Sequence, residues 1–465
     1  MRTRHIDLLH GRILPSLTGL ALPIMATSMV QMAYNLTDMA WIGRVGSHAF
    51  TAVGAAGMFT WLSSGLVTLA RMGGQVKVAH SLGEGSSQDA VEYGKGAIQL
   101  AIFLAVCFSA VTFFGAAPLI SFFGLQNPDT VLDAQHYLQI TGGLMVFSFL
   151  NQTMTGLYTA IGDSRTPFLA NSTGLVINMI LDPVLIFGLG PFPRMETIGA
   201  AAATVTAQAA VTLILVLRAL QDSVLFDKIK IWKTTSWNYF RVILALGLPS
   251  ALQSMLYSSI SMVLTRMVAS WGDAAIAVQR VGGQVESISW FMAEGFGAAM
   301  NAFTGQNFGA RQYRRVQRSY WAALAVTGVW GTMTSLLLVF FGAPIFRIFI
   351  REPEVLPAGV SYLFVLGCGQ MPMCLELMTV GALQGLGKTL SSSVITIVLT
   401  ASRIPAAMVL SATALGLDGI WWALTVTSIA KGIVFVVYYT WTLHRLPKED
   451  LDVGRKEQDS CGESV

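Results

Sequence analysis

Twelve apolar runs of bilayer-crossing length constrain this 465-residue chain more than any other feature. They lie near residues 14–39, 50–76, 95–118, 134–160, 167–190, 197–219, 241–269, 279–303, 318–344, 358–383, 391–415 and 418–443. A hydrocarbon core about 30 Å thick needs roughly 20 apolar residues at 1.5 Å rise each, so each run reads as one transmembrane helix. Charged residues make up 12% of the chain, well below the roughly 25% of soluble domains, and mean hydropathy is +0.60. The fold class is therefore an all-α polytopic membrane protein. The first run follows Arg2, Arg4 and Arg12, but it exceeds the roughly 7–15 apolar residues of a signal-peptide core and is read as a retained first span.

Links between the runs are short, leaving no room for an inserted soluble domain. The longest, 220–240, interleaves Lys228, Lys230 and Lys233 with Trp232, Trp237 and Tyr239, the composition of a segment lying at a membrane interface. With the N-terminus in the cytoplasm, only Arg44, Arg194, Arg347 and Arg351 fall on the far side. Arg71, Arg266, Arg280, Arg403 and Lys431 fall within runs, and the rest of the 29 Lys and Arg fall on the cytoplasmic side. The positive-inside rule then places both termini in the cytoplasm. Four cysteines, Cys107, Cys368, Cys374 and Cys461, form no CxxC pair, so neither a disulfide framework nor a zinc cage is indicated. The net charge of +4 implies no nucleic-acid partner.

The halves repeat. "FFGAAPLISFF" at 113–123 returns as "FFGAPIFRIF" at 340–349, and proline and glycine pairs follow at nearly constant offset. They are Pro23 with Pro249, Gly83 with Gly309, Pro128 with Pro353, Gly156 with Gly381, and Pro183 with Pro405. Six spans per repeat is an even number, so both halves enter from the same face and relate by a pseudo-two-fold axis along the membrane normal. The expected organisation is a six-helix bundle over 1–219, a cytoplasmic linker over 220–240, a second bundle over 241–446 and a polar, disordered cytoplasmic tail over 447–465. Substrate in such proteins sits at or near the repeat interface and access alternates by rocking of the halves, which favours a transporter.

Ionisable side chains inside spans are expensive and mark function by default. Arg71, Arg280 and Lys431, near run ends, are read as snorkelling to the interface. Asp38 and Asp182 have polar company at helical spacing: Tyr34 lies four residues before the first and Asn178 four before the second, so each pair shares a helix face. Pro183 lacks an N–H and frees the carbonyl of Met179, and Pro23 frees that of Gly19 and supplies a bend point in the first span. Carboxylates that are costly to ionise could load and release a proton, or could hold Na⁺ with Asn178 and a threonine hydroxyl. The competing reading of both acids is a helix-end cap or an ion pair with Arg266 or Arg403. Glu286, Glu294 and Glu376 form a second set of acids in the C-terminal half, with either a structural or a binding role. No Walker loop, GxSxG or HExxH is present, nor a nucleophile with a plausible base, so an enzyme is not expected.

These residues carry a resemblance. "LALPIMATSMVQMAYNLTDMAWIG" in the first span, "AIGDSRTP" after the fourth, "NMILDPVLIFG" in the fifth and "GQNFGA" after the eighth resemble, in order and distance, the multidrug and toxic compound extrusion (MATE) family, most closely its prokaryotic DinF-like branch. The resemblance implies twelve helices in two bundles, and a cation-coupling site in the N-terminal bundle at Tyr34, Asp38, Asn178 and Asp182. It places Thr204 close to the span-six hydroxyl of that branch and makes Pro23 the bending proline. The fourth-span asparagine of the branch falls near Thr155 here, and the seventh-span acid of the NorM-like branch has no counterpart.

Taken together, the expectation is a secondary active transporter: an H⁺- or Na⁺-coupled antiporter exporting lipophilic, often cationic drugs and organic compounds by alternating access. It needs no cofactor beyond the coupling ion, and Na⁺ could sit at Asp38, Asn178 and Asp182. Its expected setting is the prokaryotic inner membrane, as a monomer whose partners are the lipid bilayer and small organic substrates. The rivals are a flippase for lipid-linked oligosaccharides, which needs a cationic cavity, and an integral membrane enzyme.

Overall fold

The computed structural model describes residues 5–125, 127–349 and 355–447; the polar tail beyond residue 447 and Pro353 lie outside them. All regular structure among these residues is helical. The first half comprises α1 (Ile13–Val45), α2 (Ser47–Gly83), α3 (Ser87–Phe114), α4 (Ala116–Ser121), α5 (Pro128–Gly143), α6 (Val146–Ala160), α7 (Arg165–Phe187) and α8 (Glu196–Ala219). The second comprises α9 (Trp237–Ala269), α10 (Asp273–Gly309), α11 (Tyr313–Phe349), α12 (Leu356–Gly367), α13 (Gln370–Gly385), α14 (Thr389–Ala401), α15 (Arg403–Ser411) and α16 (Leu417–His444).

The sixteen helices make twelve passes because four apolar runs are broken or paired, and the breaks follow the sequence repeat except at Ser402, between α14 and α15, whose counterpart α7 is one helix. α3 ends at Gly115 and resumes as α4, while its counterpart α11 leaves helical geometry at Phe341 (φ −115°, ψ 19°). Leu144 and Met145 part α5 from α6, and Cys368 and Gly369 part α12 from α13, where the axis turns by 48°. Among the described residues nine helices are long and apolar enough to cross a membrane, and the bent α12/α13 pair makes a tenth. The two remaining passes are α5 with α6, split into helices of 16 and 15 residues, and α10, which carries Arg280, Glu286 and Glu294. Outward faces expose Phe103, Val111, Leu213, Val329 and Val437, as a lipid-facing surface requires. By contrast, α1 and α7 run unbroken through Pro23 and Pro183.

Two six-helix bundles pack along α2 with α9 and α10, and along α1 with α10. One close crossing joins repeat partners: a Cβ added at Gly83 would collide with the main-chain oxygen of Gln306, and one at Gly309 with that of His80. Gly83 and Gly309 are themselves offset partners, so this α2–α10 contact lies on the pseudo-two-fold axis, and small residues there let the backbones meet. The segment 220–236 docks on the first bundle. Leu225 and Phe226 are buried, Gln99 Nε2 donates to the oxygens of Ile231 and Lys233 at 2.8 Å each, and Trp232 is 98% exposed.

A short strap, residues 5–12, crosses the face where α2 and α10 end. Ile6 N donates to Gly162 O (3.1 Å) in the first half, and His5 Nε2 lies 2.9 Å from Asp222 Oδ1 in the linker docked on it. Leu8 is buried, and its carbonyl accepts from Asn307 Nδ2 (3.0 Å) and Arg315 Nη2 (3.1 Å) in the second half. The strap therefore ties the bundles together on this face.

Candidate functional site

Helical spacing puts Tyr34 and Asp38 on one face of α1, and Asn178 and Asp182 on one face of α7. Packing of α1 on α7, and of α7 on α8, brings these faces together with Thr204. Asn178 and Asp182 are fully buried, and Asn178 Nδ2 donates to Asp182 Oδ1 at 3.0 Å. Asp38 and Asp182 are close enough to feel each other's charge, and Tyr34 feels both. Three oxygens here are shielded from solvent without a hydrogen-bond partner in the protein, Asp38 Oδ1, Asn178 Oδ1 and Asp182 Oδ2, while the Thr204 hydroxyl lies in hydrogen-bonding range of Tyr34 and Tyr137. Leaving a polar group so costs about 1–3 kcal/mol each, and such a concentration calls for an explanation. The donor set is all oxygen with two carboxylates, which suits a proton or a hard cation.

The cap and ion-pair reading of these acids does not hold. Asp38 lies inside α1, which continues to Val45. Among the described residues no Lys or Arg forms a salt bridge with either acid. Arg266 is exposed, and Arg403 donates to Thr427 Oγ1 and Ser428 Oγ at 3.0 Å each. Thr204 faces the cluster, whereas Thr206, two residues on, is exposed. Tyr137 on α5, not singled out from sequence, is buried beside Thr204 and in electrostatic range of Asp38, Tyr34 and Asp182. Its spacing carries no signal, because it reaches the site from another helix. Near Thr155, Asn151 is taken up by neighbours: its Nδ2 donates to Gln208 O (3.0 Å) and its Oδ1 accepts from Thr212 (2.7 Å).

The three acids of the second half have separate partners. Lys431 Nζ lies 2.7 Å from Glu376 Oε1 with both residues buried. This corrects the snorkelling reading of Lys431: the charge is held in the bundle interior by a partner 55 positions away. Glu286 Oε1 accepts from Gln370 Nε2 at 3.3 Å and faces Arg403. Glu294 is in electrostatic range of Arg71 of the other bundle, and Arg71 Nε is shielded from solvent, so Arg71 does not snorkel either, while Arg280 is exposed as expected.

At the strap face two further side chains cross between bundles. His80 Nε2 is 2.7 Å from Gly385 O, and Gln306 Nε2 donates to Ala160 O at 2.6 Å. Donors and acceptors are repeat partners, so one contact is made twice, once in each direction.

The family model MatE matches residues 23–184 and again 249–409. The chain belongs to the MatE family. The double match retraces the internal duplication, and the protein is thereby a multi-pass membrane transporter of the multidrug efflux class, not an enzyme. Among curated relatives, the probable multidrug resistance protein NorM of Thermotoga maritima is 26% identical over 428 residues, 91% of either chain. The FAD transporter of Shewanella oneidensis is 27% identical over 442 residues, covering 93% of this chain and 95% of its own. A crystal structure of MATE in the bent conformation superposes with a TM-score of 0.88 at 22% identity, over 96% of this chain and 99% of that one. At that identity the match speaks to the twelve-helix fold.

Proposed function

We propose that this MatE protein is an antiporter that couples inward movement of H⁺ or Na⁺ to export of lipophilic, often cationic organic compounds. The observation that carries the reading is the cluster of unpartnered oxygens around Asp38 and Asp182. A cation binding there joins three oxygens otherwise left unsatisfied, those of Asp38, Asn178 and Asp182, and the two carboxylates share its charge. Tyr34, Asn178 and Thr204 complete the oxygen set, and Pro23 is the point at which α1 bends when the site fills. Both termini lie in the cytoplasm of a prokaryotic inner-membrane protein acting as a monomer, so the strap face is the cytoplasmic face. Its cross-bundle bonds then belong to the state closed toward the cytoplasm.

The flippase reading needs free cations in the cavity. Arg403 and Lys431 are already engaged by Thr427, Ser428 and Glu376, which disfavours it. The test of the antiporter is substrate movement by purified protein in liposomes under imposed pH or Na⁺ gradients. Wild type should accelerate transport with one gradient, and Asp38→Asn should lose that acceleration while still binding substrate. Equal gradient response in Asp38→Asn would refute the assignment.

A further inference from the structure

We propose that a cavity between the bundles at the strap face binds the phosphate headgroup of an anionic phospholipid and thereby staples the two bundles together. The cavity measures about 580 Å³ and lies between α2, the first turns of α9 and the α13–α14 turn, a size typical of small-molecule sites. Lys77 and His80 of α2 face Asn238 and Arg241 of α9 across it, and no acidic residue lines it. Basic pockets between transmembrane helices at the cytoplasmic side are the chemistry that holds lipid phosphates.

Both cations are available. Lys77 Nζ lies 5.2 Å from the Tyr93 ring centroid, a contact that leaves its N–H donors open, and neither Lys77 nor Arg241 forms a salt bridge among the described residues. Asp89, the acid in electrostatic range of Lys77, already accepts from Ser86 Oγ (2.7 Å) and Tyr239 Oη (2.9 Å). The remaining wall is apolar, formed by Val242, Ala245 and Leu246. A phospholipid presents this same sequence of chemistry, an anionic head above acyl chains, whereas inorganic phosphate would use only the polar end.

The depth is right for a headgroup. Trp237 opens α9 and is 69% exposed, with Trp232 fully in the open nearby, and exposed tryptophans sit at the membrane–water interface. Exposed Lys228, Lys230 and Lys233 in the same segment add positive potential at that level. The cavity also spans the bundle boundary, since Lys77 and His80 belong to the first half and Arg241 and Gly387 to the second. His80 Nε2 is at the same time 2.7 Å from Gly385 O, so a headgroup seated here reinforces a cross-bundle contact that is already made.

The experiment is native mass spectrometry of the full-length protein released from micelles doped with phosphatidylglycerol or phosphatidylcholine. Wild type should retain phosphatidylglycerol selectively. Lys77→Gln with Arg241→Gln should retain at least about tenfold less, since both cations that attract an anionic headgroup are then gone. Lys77→Arg with Arg241→Lys should retain it as wild type does. Equal retention of phosphatidylcholine by wild type, undiminished retention by the Gln pair, or complete displacement by millimolar inorganic phosphate would each overturn the proposal. If the Gln pair fails to fold, Lys77→Gln and Arg241→Gln singly should each retain several-fold less phosphatidylglycerol, and undiminished retention by both would overturn the proposal. Lipid retention is read without transport, so its failure would leave the Asp38 and Asp182 assignment standing, and the reverse.

Discussion

The Asn178 side-chain amide donates to Oδ1 of Asp182, one turn further along α7 and 3.0 Å away, and this bond aims the other carboxylate oxygen. Oδ2 is left without a partner, as is Oδ1 of Asp38, with Tyr34 and Thr204 close by. Asn178 is thus best placed to orient Asp182. Supporting partners of ion ligands typically account for a factor of about 10–100 in affinity. Asn178→Ala should therefore raise the concentration of coupling ion needed for half-maximal export at least about tenfold, with the maximal rate less affected. Export rates measured across a series of imposed gradients would show it. An unchanged half-maximal concentration would remove Asn178 from the site.

His80 with Gly385 and Gln306 with Ala160 form one bond in two symmetric copies. Each side chain-to-backbone hydrogen bond is worth about 1 kcal/mol net. Losing both should therefore shift the balance between states closed and open on the strap face by about 2 kcal/mol, a factor of roughly 30. Spin labels on the strap-face ends of α3 and α11 should report longer distances in His80→Ala with Gln306→Ala than in wild type. Each single variant should produce about half the free-energy shift, because the copies are equivalent. A double variant with the wild-type distance distribution would contradict this.

Glu376 and Lys431 illustrate what the sequence could and could not disclose. Run length and a constant repeat offset made twelve spans and two bundles legible, and four-residue spacing made Tyr34–Asp38 and Asn178–Asp182 legible, because those signals are local or periodic. The helix breaks at Leu144 and Cys368 were not, since the apolar run continues across each. Nor were Tyr137 beside Thr204, Arg71 in range of Glu294, or Lys431 beside Glu376. Such pairings are set by how helices distant in sequence pack, and an ionisable residue near a run end looks the same whether it snorkels or turns inward.

Removing one member of that pair tests its inward placement. Breaking a buried ion pair typically costs about 3–5 kcal/mol because the surviving charge is left uncompensated, while replacing both members with apolar groups can be neutral. Glu376→Gln should lower the melting temperature in detergent markedly, and Glu376→Gln combined with Lys431→Met should recover most of the loss. A snorkelling Lys431 would leave both variants near wild type in thermal unfolding.

The strap should respond to pH through His5 and Asp222, 2.9 Å apart. The hydrogen bond to Asp222 holds the His5 imidazolium above its ordinary value of 6.5, against the effect of burial. Burial pushes the Asp222 carboxyl up, but hydrogen bonds from His5 and from the Leu225 and Phe226 N–H groups outweigh it and leave the acid below 3.8. For His5 the raised value means that its contribution to docking is complete below pH 6.5 and is lost as pH rises through the folded-state value. For Asp222 the contribution is complete above pH 3.8 and is lost as pH falls through its depressed value. Docking of the strap on the first bundle should accordingly be firmest between those two pH values and loosen on the alkaline side. A spin label introduced by His10→Cys should grow more mobile as pH rises past the His5 titration. His5→Ala should be mobile at every pH, whereas His5→Lys, charged throughout, should stay ordered. Identical pH profiles in wild type and His5→Ala would show that Leu8 and Arg315 hold the strap without the ion pair.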